Sequence, residues 1–253
     1  MNLDDATQDR FAATAARLAA FGEKRIESLR SRIVDLVDPL GHEFALDAAT
    51  GTGPFALALA PLVREVLAID SVPEMLDEGR RLAGNDSNVR FVEGSVYELP
   101  VGDGEIDLAT FGRTLHHLDR PAEALAELAR VLTPGGRLVV IDQLVSEDAR
   151  EARLYERMEH IRDPSHVSTL SDSSVRTLVQ AAGLRMIHAA TEPEERDLGV
   201  FLELAGCTDS QRAEIFDYAR GLIESGESAG VDMRTHGDGV RFTGCLGVYV
   251  AER

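Results

Sequence analysis

The sequence predicts an α/β protein built as a doubly wound sheet, with parallel strands at its centre and helices on both faces. Three observations predict it. Short apolar runs alternate with amphipathic helical stretches between residues 44 and 142; the first run ends in a Gly-x-Gly turn that leads into a helix; and the chain closes on an alternating segment with Val240, Phe242, Leu246, Val248 and Val250 on one face. Strands that alternate with helices build a parallel sheet covered on both sides. The chain has 253 residues, 44% of them apolar, enough to bury one sizeable core, so a single domain over residues 1–253 is expected.

Residues 9–36 read as an amphipathic helical cap, with Phe11, Leu18, Ile26, Leu29, Ile33 and Leu36 among its apolar positions. Phe44-Ala45-Leu46 is the first buried strand, and Pro54 suits the first turn of the helix that follows, where its missing N–H would have had no partner. Val66 to Asp70 is the second strand. Ser71-Val-Pro-Glu74 has capping-box spacing, with Pro73 in the first turn of a helix to about Leu82. Asn88 to Glu93 and Ile106 to Phe111 are short enough and apolar enough for interior strands. Asp119-Arg-Pro121 opens a helix with a Leu125, Leu128, Leu132 stripe, and Gly135-Gly136 stops it before a strand over 137–142.

Beyond residue 143 helices are expected over 147–161 and 172–182, a strand over 184–189 and a last strand over 239–251. The long stretch between these strands, with helices near 197–204 and 210–223, exceeds an ordinary connection. Residues 40–143 therefore form the ligand-binding core, and 144–235 the substrate-side helices and a lid insertion.

Composition narrows the partners. A formal charge of −18 without a Lys/Arg-rich stripe argues against nucleic acid. Cys207 and Cys245 are isolated, and Met-Asn-Leu-Asp-Asp lacks the basic and apolar parts of a signal peptide, so a reducing cytoplasmic setting is expected. No apolar run nears the ~20 residues that span a bilayer, so no integral membrane contact is expected. A homodimer is compatible with the sequence. Lys24 is the one lysine among 26 basic residues, a usage that suggests a GC-rich bacterial genome.

The chemistry begins at Leu46-Asp-Ala-Ala-Thr-Gly-Thr-Gly53. Gly51 and Gly53 let backbone amides approach a ligand that a Cβ would hold off, and the helix N-terminus favours a carboxylate. Gly51-Thr-Gly53-Pro-Phe-Ala56 also fits a dinucleotide fingerprint, with Asp70 as its acidic residue. Asp47 tilts the choice, because its carboxylate could meet an ammonium group, which a methionine moiety has and NAD lacks. The cofactor expected is S-adenosylmethionine (SAM).

With these residues in view, the chain resembles the class I SAM-dependent methyltransferases, in the small-molecule group that includes the ubiquinone/menaquinone C-methyltransferases. The resemblance covers roughly residues 40–190. It rests on the run just quoted, on Ala68-Ile-Asp70-Ser-Val-Pro-Glu-Met75-Leu, on Val92-Glu-Gly94-Ser-Val-Tyr-Glu-Leu-Pro100, on Ile106-Asp-Leu-Ala-Thr-Phe-Gly-Arg-Thr-Leu-His116-His117, and on Leu128-Ala-Arg-Val-Leu-Thr-Pro-Gly-Gly136. It implies a Rossmann-like seven-stranded sheet with an antiparallel last strand, and a small-molecule methyl acceptor.

The resemblance also implies roles. Asp47 and the backbone near Ala49, Gly51 and Gly53 hold the methionine end, and Asp70, followed by Ser71, takes the ribose hydroxyls. Met75 packs on adenine, Gly94, Ser95 and Val96 approach its edge, and the backbone of Phe111 and Gly112 completes the methionine pocket. Asp70 as a helix-capping acid and Met75 as plain core are the structural alternatives. Two departures stand out: Ser95 where the family commonly has an acid, and Leu18 where relatives often place a tyrosine.

Acceptor-side candidates lie after the fourth and fifth strands, because ligands of open α/β sheets bind at strand carboxyl ends. They are His116, His117, Asp142, Gln143 and the stretch Glu159-His-Ile-Arg162-Asp-Pro-Ser-His166. His117 is the first choice for a base, since an imidazole accepts protons near neutrality; fixing a loop is its alternative role. Arg162 could orient a carboxylate or phenolate, or clamp Asp163 internally. Pro164 is expected to end a helix. His116, His117, His160 and His166 with Glu159 suit a metal by type but match no standard spacing, so no metal is assigned. A dinucleotide-dependent oxidoreductase, metal-assisted carbon methylation of a keto acid and a noncatalytic SAM-binding protein are the competing functions.

Overall fold

A computed structural model describes residues 3–85, 87–163 and 165–253. The reading of Pro164 as a helix stop lies outside these residues. The expected cap is two helices, α1 (Leu3–Glu23) and α2 (Ile26–Val37), broken at Lys24-Arg25. Ile33 and Val37 of α2 bury against the sheet, which fixes that helix to the core.

The core alternates as predicted: β1 (Phe44–Ala48), α3 (Pro54–Leu59), β2 (Glu65–Asp70), α4 (Pro73–Ala83), β3 (Val89–Glu93), β4 (Ile106–Gly112), α5 (Pro121–Val131) and β5 (Leu132–Leu144). Then come α6 (Ala149–Arg162), α7 (Asp172–Ala181), β6 (Arg185–Asp197), α8 (Leu198–Leu204), α9 (Asp209–Ser225), β7 (Asp232–His236) and β8 (Gly239–Glu252). The sheet order is β3-β2-β1-β4-β5-β8-β6, parallel through β5, with β8 antiparallel to β5 and β6. The direction of strand order reverses between β1 and β4, and ligands of doubly wound sheets bind at such a switch point.

Both faces are apolar, as a covered sheet requires. Leu46, Leu67, Ile69 and Val140 face a cluster built with α5 and α7, whereas Ala45, Val66, Ala68 and Val139 face one built with α2 and α3. Neighbouring residues of one strand thus serve opposite layers.

Leu132 and Gly135-Gly136, read as the end and the stop of a helix, belong instead to β5, and three further details differ from the sequence reading. The first is β6, which runs to Asp197 instead of stopping near residue 189, and its continuation pairs with β8 as far as Asp197↔Arg241. Pro193 disguises it, yet β6 lies at the sheet edge, where a missing N–H is tolerated. The second is short β7, which pairs with β8 and adds an eighth strand to the seven. The third is the predicted capping box, which does not form: Val72 caps α4 without a side-chain bond, and Asp70 Oδ1 accepts the Val72 N–H at 3.0 Å.

Residues 198–238 supply α8, α9 and β7, which pack with α6 around an apolar cluster of their own, including Met158, Leu202, Ile215 and Phe242. Thr208 and Gln211 cap α9 reciprocally.

The seam between α4 and β3 depends on absent side chains. A Cβ on Gly79 would lie 2.4 Å from Phe91 Cε1, and one on Gly53, where φ is +82°, 2.9 Å from the same atom. In an open helix Gly→Ala gains about 1 kcal/mol. Here Gly79→Ala is expected to destabilise by about 1–3 kcal/mol through overpacking, with partial recovery in Gly79→Ala/Phe91→Leu. Urea unfolding of the two variants measures the sign, and a more stable single variant would show that the ring simply moves aside.

Candidate active site

At the carboxyl ends of β1, β2 and β4 the strands open into a cavity of about 970 Å³. Single small-molecule sites span roughly 300–1,000 Å³, and this cavity lies at the upper end of that range. Its walls come from α1 and the α1–α2 turn, the loops after the first strands, and the far half of β6 with α8.

Most residues expected around the cofactor line it: Ala49, Gly51, Asp70, Ser71 and Met75 from the first two β–α turns, and Gly94, Ser95, Val96 and Gly112 beside them. Gly51 has φ +55° and open space where a Cβ would project, so its backbone borders the cavity directly. Asp70 Oδ2 accepts the Gly51 N–H at 2.7 Å, and Oδ1 holds Val72. Each carboxylate oxygen still has a lone pair for a hydroxyl. Burial raises the Asp70 pKa, against the pull of its backbone donors. Met75 is 3% exposed and packs with Ala15 and Val72, so it is a core residue and a wall residue at once.

Asp47, Gly53 and Phe111 do not border the cavity. Asp47 is buried, and both its oxygens are occupied: Oδ2 by the Thr50 hydroxyl at 2.5 Å and the Ala56 N–H at 3.0 Å, Oδ1 by the Thr110 hydroxyl at 2.7 Å. Because Asp47 lies behind the cavity wall, the expected direct meeting with an ammonium group gives way to a positioning role, in which Asp47 ties the β1–α3 turn to β4. Gly53 serves the Phe91 contact, and the Phe111 side chain is core. Ala49 has φ +51°, a left-handed conformation that costs a residue with a Cβ about 1–2 kcal/mol.

On the acceptor side His116, His117, Arg162 and Gln143 border the cavity, whereas Asp142 and His166 stand behind it. His116 Nδ1 lies 2.7 Å from Asp142 Oδ1, which also accepts the Gln143 N–H. Burial opposes ionisation of Asp142, but His116 and the Gln143 amide hold it below the ordinary carboxylate range. Asp142 thus orients a histidine instead of touching a ligand. His117 meets Phe11 edge-on, with ring centroids 5.1 Å apart. Its pKa is pushed well below 6.5 by burial first, then by His116, Arg10 and Arg162, so the ring is neutral at physiological pH.

The internal clamp considered for Arg162 is present with a different main partner. Arg162 Nη2 and Nε reach Glu159 Oε2 at 2.6 and 3.1 Å, and Asp163 lies 3.8 Å away, itself paired with Arg10 at 2.9 Å. His166 Nε2 lies 3.0 Å from Glu156 Oε2. Glu156, His160 and His166 bring ligand-type atoms within 4.8 Å of one another, so His160 and His166 group with Glu156 and not with Glu159. That group lies off the cavity.

Sequence reasoning missed Arg25, Arg113, Glu194 and Arg196, all of which line the cavity. The one available signal was the Glu192-x-Glu194-x-Arg196 alternation, hidden by Pro193.

A cofactor-sized cavity at the switch point, with an acidic residue ending β2 and an open glycine turn after β1, defines a nucleoside-type ligand site on a methyltransferase-like sheet. Comparison with known proteins agrees. Residues 46–140 match the family model described as a methyltransferase domain. The uncharacterized methyltransferase YcgJ of Bacillus subtilis is 33% identical over 138 residues, 54% of each chain, so the match spans about half the length of that relative. Its crystal structure superposes with a TM-score of 0.79 at 23% identity, covering 89% of this chain and 98% of that one. A demethylmenaquinone methyltransferase of Clavibacter sepedonicus is 30% identical over 199 residues, 76% of this chain and 78% of that protein. The chain belongs to the class I SAM-dependent methyltransferase family.

Asp47 provides a test of the turn. Burial outweighs its hydrogen bonds and lifts its pKa to about 6, so the folded chain holds this proton at a pH where the unfolded chain has released it. Its contribution therefore favours folding at low pH and is lost as pH rises from about 4 through 6. Relative to Asp47→Asn, the unaltered chain should lose about 1 kcal/mol of urea-measured stability between pH 5 and pH 7.5. A constant difference would place the Asp47 pKa in its ordinary range.

Proposed function

We propose that the chain transfers the methyl group of SAM to a small organic acceptor, a quinone-like ring or a specialised metabolite. The observation that carries this reading is Asp70, ending β2 with its carboxylate on a cavity whose floor is the open Gly51 turn. SAM supplies a methyl group already activated on a sulfonium. The work left to the protein is alignment and exclusion of water.

The chain's residues divide that work. Asp70 accepts the ribose hydroxyls while its backbone bonds hold it still. Gly51 and Ala49 shape the methionine end, Met75 and Val96 flank adenine, and the Ser95 hydroxyl stands where an acid would otherwise meet the adenine edge. His117 faces the cavity as a neutral imidazole and takes a proton where the acceptor atom carries one. The Asp142–His116 pair fixes the neighbouring ring. Residues 198–238 act as the lid over the acceptor end.

Incubation with methyl-tritiated SAM and a panel of naphthohydroquinones and phenolic acids tests the activity. Label is expected in the organic extract of the acidified reaction, and His117→Ala is expected to lower turnover at least tenfold while S-adenosylhomocysteine affinity stays unchanged. Label confined to the aqueous phase contradicts the activity; full turnover in His117→Ala leaves that residue a packing role.

A further inference from the structure

This chain is strongly acidic, yet one end of its cavity is basic. Arg25 from the α1–α2 turn, Arg113 directly after β4, and Arg196 on β6 converge on a single carboxylate, Glu194. Arg196 Nε donates to Glu194 Oε2 at 3.0 Å, Arg113 pairs with Oε1, and Arg25 Nη2 stays 3.8 Å from that oxygen. Arginine does not discharge at accessible pH, so in direct contact three guanidiniums share one carboxylate, with Asp142 acting on Arg113 and Glu159 on Arg196 from further off. The neighbouring cations are accounted for otherwise: Arg32 by Glu192, and Arg162 by Glu159.

The surplus is built into the fold. Glu194 and Arg196 share one face of β6 because alternate strand residues do, and the register with β8 fixes them opposite Gly244 and Phe242. Arg113 is held at φ +57°, a strained conformation for a side chain of its size, and its N–H is pinned to the Ile141 carbonyl at 2.7 Å. Arg196 lies over the Phe201 ring and donates to Gln143 Oε1 at 3.1 Å. The crowding registers on Arg25, whose pKa falls to about 10 through burial first and then through Arg113, with Glu194 opposing. A purely structural cluster would balance its charges, because half-buried surplus cations are costly.

The geometry points to an acceptor that carries a carboxylate, seated among Arg25, Arg113 and Arg196 with its apolar body against Ile141 and Leu246. This rests on the methyltransferase reading and narrows it, favouring an acidic metabolite over a neutral quinone. Guanidinium groups recognise the planar carboxylate through paired N–H donors. Ile141 neighbours Gly112 across β4–β5, and Leu246 lies opposite Glu192 across β8–β6, so the apolar wall adjoins the arginines.

The test is titration calorimetry on protein saturated with S-adenosylhomocysteine. The probes are 3-phenylpropanoate, 2-naphthoate and 4-hydroxybenzoate, each with its carboxamide. At least one carboxylate should bind ten times more tightly than its amide. Arg196→Gln should erase that preference, Arg196→Lys should restore part of it, and affinity for S-adenosylhomocysteine should stay within twofold in both. Equal binding of acid and amide, or silence from every probe with S-adenosylhomocysteine still bound, overturns the inference alone. A parallel loss of S-adenosylhomocysteine in Arg196→Gln would assign the cations to the donor's carboxylate and also overturn it. Failure of the unaltered chain to bind S-adenosylhomocysteine would remove the methyltransferase reading as well.

Discussion

The Asp47 carboxylate is the knot on which the site depends. It gathers the Thr50 hydroxyl and the Ala56 amide from the turn after β1, and the Thr110 hydroxyl from β4, in a buried setting. These bonds hold β1, the start of α3 and β4 in one geometry at the point where strand order reverses. The next link is Asp70, which binds the Gly51 amide and joins that turn to the end of β2. The cavity floor is thus a chain of carboxylate–amide contacts, with the inner acid supporting and the outer one exposed to ligand. Buried networks of this kind hold a unique arrangement only while every member is satisfied.

Charge is distributed with a similar division. The chain carries a formal charge of −18, yet the cavity walls hold arginines in two kinds of cluster. Beneath the acceptor end, Glu159, Arg162, Asp163 and Arg10 form a compensated cluster that anchors α6 to α1. The cluster around Glu194, where three guanidiniums share one carboxylate, opens to the cavity. One stiffens the wall and the other is available to a ligand. His117 lies beside the balanced cluster, where burial first, and then His116 and the adjacent guanidiniums, keep it neutral.

Much of the fold was legible in the sequence because the central strands are short, apolar and separated by helices with clear starts at Pro54, Pro73 and Pro121. The cofactor half was legible for a related reason, since it is made of turns whose glycines and acids lie close together along the chain. Asp47 was read as a ligand contact because sequence shows that a carboxylate is present but not that Thr50, Thr110 and Ala56 already occupy it. The acceptor half was harder. Arg25, Arg113, Glu194 and Arg196 come from three distant segments, and only the extension of β6 past Pro193 brings them together. Edge-strand pairing is a tertiary fact, and local propensity points the other way.

The central claim is that the Gly51–Asp70 cradle binds the adenosyl-methionine skeleton. Titration calorimetry of the intact chain and of Asp70→Ala with S-adenosylhomocysteine, with NADH as control, tests it most directly. The account predicts one-to-one micromolar binding of S-adenosylhomocysteine, no heat from NADH, and a loss of about 1–3 kcal/mol in Asp70→Ala from the missing charged hydrogen bonds. Binding of NADH in its place, or an Asp70→Ala affinity equal to that of the unaltered chain, would contradict it.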